Sequence, residues 1–152
     1  MDIPQIEQIK IQAQVLVPLI KALRSELGTA RADAIVRKSL GDHYRKAGER
    51  WWRQRKSTNL GDTMAATWDG FAAGGALDRD VVKKTADAFD LNITGCRYAE
   101  FYKEIGEPEL GFLLVCTADF PMTEGFDNVA LARTQTIMQG ASHCDFRYTL
   151  KK

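Results

Sequence analysis

Only three of the 152 residues are cysteine and only four are proline. Cys96, Cys116 and Cys144 are odd in number, lie far apart and include no C-x-x-C pair, so neither a disulfide framework nor a zinc ribbon is encoded. Long apolar runs are missing as well. A stretch such as Phe112 to Cys116 falls far short of the roughly 18 to 20 residues that cross a bilayer, which excludes a membrane-embedded class and predicts a soluble protein. The opening MDIPQIEQIK lacks the basic-then-apolar layout of a secretory signal, so we expect a cytoplasmic location and reduced thiols. Net charge is nearly absent too: 21 Lys+Arg against 20 Asp+Glu leave +1, which removes any whole-protein attraction to nucleic acid. No internal repeat, low-complexity tract or long linker breaks the chain.

What is present is an ordinary globular composition, with 45% hydrophobic and 27% charged residues. A chain of this length buries roughly two thirds of its unfolded surface without staples, and we expect one domain over residues 1–152. Ile6, Ile9, Ala13, Leu16, Ile20, Leu23 and Leu27 recur at helical spacing up to Gly28, with Pro18 predicting a kink or a late start. Thr29 is placed to cap a second helix carrying Ile35, Val36, Leu40, Tyr44, Ala47 and Trp51 on one face. Asp62 is expected to cap a third through Met64, Trp68 and Phe71, and Asp78 to open a fourth with Val81, Val82, Ala86 and Phe89. From residue 91 the period changes to that of strands: Leu91 to Thr94, Gly111 to Thr117, and a hairpin of Ala130 to Met138 with Cys144 to Leu150 joined at Gly140-Ala141-Ser142. Tyr98, Phe101, Tyr102 and Ile105 form a helical face that Gly106 ends. The reading is α+β, with residues 1–90 mainly helical and packed on an antiparallel sheet formed mainly by residues 91–152.

Charge is unevenly spread. Residues 37–56 hold eight basic and two acidic side chains, whereas residues 78–128 hold eleven acids and five bases. Trp51, Trp52, Arg53 and Arg55 on the basic helix suggest nucleic-acid stacking, but near-neutrality favours either a solvated face with tryptophans turned inward or a contact with the acidic half of another copy. We therefore expect a homo-oligomer and no nucleic acid.

The segments Gly95-Cys96-Arg97-Tyr98-Ala99-Glu100, Leu114-Val115-Cys116-Thr117-Ala118-Asp119-Phe120 and RTQTIMQGASHCDFRY from Arg133 to Tyr148 resemble the L-2-amino-thiazoline-4-carboxylic acid hydrolase family, over roughly residues 90 to 150. The resemblance implies hydrolytic opening of a small cyclic amidine to a carbamoyl-cysteine type product. The closing pattern is also similar to the 4-vinyl reductase type of small-molecule binding domain, which implies a non-catalytic binder or sensor as the alternative.

Read chemically, Cys144 is the first candidate nucleophile, since a thiolate attacks an electron-poor sp² carbon. His143 is its neighbour, yet strand alternation sends the two side chains to opposite faces, and a buried Cys144 beside Phe146 is the plain alternative. Cys116 and Asp119 stand where an apolar strand would end, and Asp119 could hold an amidine nitrogen or move protons, or close a turn. Cys96, Arg97 and Glu100 mark a strand-to-helix junction, where Arg97 could take a substrate carboxylate and Glu100 a proton. Arg133 and Gln135 share a strand face that reads either as pocket or as solvent-facing. The candidates are thus Cys144, Asp119, Cys116 and Glu100 for catalysis, and Arg97, Arg133, Gln135, His143 and Cys96 for substrate binding. No cofactor is expected; three cysteines with His143 could form a zinc site, but no two of the cysteines come as a close pair.

Overall fold

Two long helices open the chain in the computed structural model, which describes residues 2–55 and 58–152. The first, α1, spans Gln5–Leu27 and buries Ile6, Ile9, Ala13 and Ile20, the stripe that the spacing predicts. Pro18 lies inside it and neither ends it nor delays its start. The ring removes one backbone bond, whose acceptor belongs to Gln14 on the exposed side, where water can take its place. Gly28, at φ 82°, turns the chain directly into α2 (Thr29–Arg55). Trp52 turns inward as expected, while Trp51 is half-buried beneath the Arg55 guanidinium, 3.4 Å from its ring centroid. Lys56, the end of the basic run, lies outside the described residues.

Helix α3 (Leu60–Phe71) is capped by Asn59, whose side chain accepts the Asp62 N–H at 3.0 Å, so the cap precedes the expected one by three residues. A larger correction follows. Residues 77–84 are not a helix but the edge strand β1 (Leu77–Lys84), joined through a tight turn to β2 (Ala88–Cys96). In that turn the Thr85 hydroxyl accepts the N–H groups of Asp87 and Ala88, local chemistry that the periodicity of Val81 and Val82 does not reveal. The sheet therefore begins at residue 77 rather than 91.

After β2 come α4 (Arg97–Glu104), α5 (Pro108–Leu114), a 3₁₀ turn at Cys116–Ala118 and α6 (Asp119–Glu124). The predicted strand Gly111 to Thr117 is thus helical. Pro108 starts it at the first helical turn, and an apolar run of that length fits either state by hydrophobicity alone. Next, β3 covers only Val129–Ala132 and β4 spans Cys144–Leu150. The expected strand to Met138 stops early because the Asp145 carboxylate, not a neighbouring strand, takes the N–H groups of Thr134 and Gln135 at 2.8 and 3.0 Å. Thr136 then accepts the Gln139 N–H to form a further 3₁₀ turn.

The sheet is antiparallel throughout, in the order β1-β2-β4-β3. Opposite pairs Phe89 and Tyr148, Leu91 and Phe146, and Ile93 and Cys144 put their side chains in the core. Burying each large apolar side chain is worth roughly 1.5–3 kcal/mol. Arg147, one residue off that period, instead reaches the Asn92 Oδ1 at 2.9 Å on the other face. The architecture is the expected α+β, with mostly N-terminal helices on a four-stranded sheet from the C-terminal half. Two apolar clusters result, one among α1, α2, α4 and α5, the other between the sheet, α3 and the end of α2.

Candidate active site

Between the two clusters lies a cavity of about 100 Å³, and Cys96, Cys116 and Cys144 all face it. Each arrives from a different element. Cys144 opens β4, where its inward period aims it at the helices, and its Sγ accepts the Ile137 N–H at 3.2 Å. Cys96 ends β2 and caps α4, accepting the Ala99 N–H at 3.4 Å. Cys116 begins the 3₁₀ turn that leads into α6, not the end of a strand.

The first residue of α6, Asp119, faces the same cavity, as does Arg133 just past β3. Arg133 Nη1 donates to Asp119 Oδ2 at 2.6 Å and to the Cys116 carbonyl at 2.9 Å, and its guanidinium lies 5.0 and 5.4 Å from the ring centroids of Phe120 and Phe146. Only 5% of the Arg133 side chain remains accessible, against 23% for Asp119. Five of the nine expected site residues therefore share one cavity.

Burial dominates the proton affinities here. It pushes the Asp119 carboxyl up to about 7, although Arg133 pulls the other way. It pushes the Cys96 thiol up to about 11, outweighing the amides that bond its sulfur, and raises Cys116 strongly. Cys144 is also raised by burial, with the Ile137 amide and Arg133 holding it back. All three sulfurs are accordingly thiols at neutral pH. The thiol proton must leave as any of them attacks carbon, and Asp119, raised into the neutral range, is the carboxyl in the cavity able to hold or release a proton there.

The remaining four candidates lie elsewhere. Arg97 is at the surface, donating to Asp78 Oδ2 at 3.0 Å and lying 3.7 Å from Glu100, itself exposed. Gln135 donates to the His143 carbonyl at 3.0 Å and borders its ring, while Ser142 Oγ lies 2.9 Å from His143 Nδ1. Against a desolvation cost, the Thr134 hydroxyl and nearby amides hold Asp145 below the usual carboxylate range. Gln135, His143 and Asp145 thus tie the 133–145 loop to itself, which fixes where Arg133, Thr136 and Cys144 point.

Tyr44, Tyr98 and Thr136 also line the cavity and were not among the expected site residues. Tyr98 donates to the Phe71 carbonyl at 2.9 Å. Tyr44 was visible only as one member of the α2 stripe; a phenol on a buried stripe is the one signal that a polar tip must find a partner or a cavity. It also lines a groove of about 430 Å³ between α1 and α2, together with Gln5, Ile9, Phe71 and Met122, all of which border both spaces.

Among the described residues no three His, Cys, Asp or Glu side chains are grouped so as to hold a metal ion, and no helix is long and apolar enough to cross a membrane. A family model described as L-2-amino-thiazoline-4-carboxylic acid hydrolase matches residues 8–148. No curated protein matches the chain.

Proposed function

The chain belongs to the L-2-amino-thiazoline-4-carboxylic acid hydrolase family, and from that premise we propose that it hydrolyses a small cyclic amidine carrying a carboxylate, by a thiol-assisted, metal-free route. One observation carries the reading: cysteines 20 and 28 residues apart in the chain meet a carboxylate and an arginine in one cavity. The Cys144 sulfur adds to the amidine carbon and gives up its proton as the bond forms. The C=N electron pair moves to nitrogen, which takes that proton from the thiol. The ring bond to that carbon then breaks, its electron pair staying on the ring atom that leaves, which takes a proton from the neutral Asp119 as C=N re-forms. Water adds to the carbon and gives one proton back to Asp119, and the carbonyl forms as Cys144 departs with the other, so the product is heavier than the substrate by one water. Arg133 anchors the carboxylate; Arg97 is too far to the outside to share that role. Cys96 and Cys116 line the binding wall.

A second reading, a small-molecule binding or sensor module, draws support from the apolar lining and the raised thiols, which would suit a ligand held without reaction. Incubation with a panel of cyclic amidines and mass detection of the hydrated product tests the first reading. Cys144→Ser separates the two: turnover is lost and binding kept in a hydrolase, whereas a sensor shows no turnover in either form and binds nearly as before. Residence among reduced thiols in the cytoplasm and assembly with further copies belong to the same proposal, the latter supported by Ile11, Val15 and Leu19 exposed along the outer side of α1.

A further inference from the structure

Among the described residues Arg133 is the only Lys or Arg that lines the cavity, and its charge is already held by Asp119 at 2.6 Å. An anion entering the cavity meets no other cation among the described residues that line it. It must share one nearly inaccessible guanidinium with a carboxylate, and two carboxylates against one such cation do not both stay ionised. We propose that this cavity binds a small carboxylate together with a proton, the anion pairing with Arg133 while Asp119 becomes the neutral acid. The inference rests on the proposed substrate class and adds how the site prepares itself: ligand binding loads Asp119 with the proton that a leaving nitrogen or sulfur later needs.

The groups facing Asp119 leave it as the one that titrates. Cys116 comes from the preceding turn, Cys96 and Tyr98 from the β2-α4 junction, Cys144 and Tyr148 from β4, and Tyr44 from α2. Every one of them is a neutral acid whose proton is held more tightly than usual by burial. The proton taken up therefore goes to Asp119, which free protein holds about half-charged near pH 7.

The test is calorimetric titration of the whole protein with L-thiazolidine-4-carboxylate, a saturated ring that offers no amidine carbon, in pairs of buffers with different ionisation heats. Expected is uptake of about one proton near pH 9, about half near pH 7 and almost none near pH 5, with affinity falling about tenfold per pH unit on the alkaline side. The corresponding primary amide should bind with no uptake. Asp119→Asn should bind the carboxylate with affinity independent of pH, and where that variant fails to fold, the contrast between acid and amide in the unmodified protein still decides. Proton uptake near zero at alkaline pH, equal uptake with the amide, or no binding of the carboxylate overturns the proposal. Turnover in the amidine panel is scored separately, so hydrolysis without linked uptake would sink this inference and leave the reaction standing.

Discussion

Arg133 Nη1 stands 2.6 Å from Asp119 Oδ2, tying the segment after β3 to the first residue of α6 across 14 positions of sequence. That pair is both the polar heart of the cavity and a cross-link between sheet and helices.

Removing the cation exposes its structural share. In Arg133→Met, Asp119 loses its partner and must be buried either charged and alone or protonated. Loss of one partner of a buried pair costs about 3–5 kcal/mol when the survivor stays charged. We expect a loss of that order near pH 8 and a smaller one near pH 5, where protonation relieves the carboxylate. Urea unfolding at the two pH values measures the difference; equal losses would mean the pair contributes no buried charge.

Asp119 also sets a slope in stability. Its folded-state affinity for the proton, raised from 3.8 to about 7, exceeds that of the unfolded chain. Its contribution is therefore fully present below about pH 4 and is lost as pH rises through about 7. Asp119→Asn removes this term, so the variant should gain on the parent protein between about pH 5 and pH 8. Thermal unfolding across that range reads the relative shift, and parallel curves would contradict the assignment.

Which parts of this were legible in sequence follows from how local their causes are. The alternation of Cys144, Phe146 and Tyr148 and the stripe of α1 are written in neighbouring residues, and both elements form as read. β1 is not, because its ladder to β2 is interrupted at Asp78/Arg79 and Val81/Lys83, which erases the two-residue period. The cavity thiols, Asp119 and Arg133 could be chosen by residue type within the family segments. Arg97 was chosen for the same reason but has an ion-pair partner, Asp78, that only the β1-β2 pairing brings near. Tyr44 was missed because nothing along α2 tells which buried stripe residue meets empty space.

The sulfur of Cys144 has two separable roles. As a hydrogen-bond acceptor it satisfies the Ile137 N–H at 3.2 Å, and in the proposed reaction it is the nucleophile. Cys144→Ala should cost about 1–3 kcal/mol because that buried amide loses its partner. Cys144→Ser keeps an acceptor and should stay closer to the parent in chemical unfolding, yet lose turnover as fully as alanine. Retained turnover in the serine variant would remove the thiol from the mechanism.

The position of Asp119 depends on how closely α6 lies on α2. A Cβ on Gly48 would collide with the Met122 carbonyl, and one on Gly125 with the Arg45 carbonyl, so both glycines are needed for backbone contact rather than for a turn. Gly48→Ala must push α6 outward, at a cost of about 1–3 kcal/mol for overpacking. It should also weaken ligand binding, because Asp119 starts that helix. Gly106, with open space around its Cβ position, supplies the contrast: Gly106→Asn should leave binding intact. Equal binding in both variants would show that the α2-α6 contact does not set the site.

The groove between α1 and α2 is also the route inward. Because Gln5, Ile9, Tyr44, Phe71 and Met122 border both the groove and the cavity, the groove is the expected path to the three sulfurs. Ala47 lines the groove but not the cavity, so Ala47→Trp fills the approach while leaving the cavity walls unchanged. Alkylation of native protein by iodoacetamide, followed by intact mass, should then slow by roughly tenfold if reagent must pass the groove, a change of about 1.4 kcal/mol in access. Labelling in denaturant should be identical for the two proteins. An unchanged native rate would mean that the thiols are reached by opening elsewhere, for instance between α6 and β3, and would redirect the search for the substrate's entrance to that side.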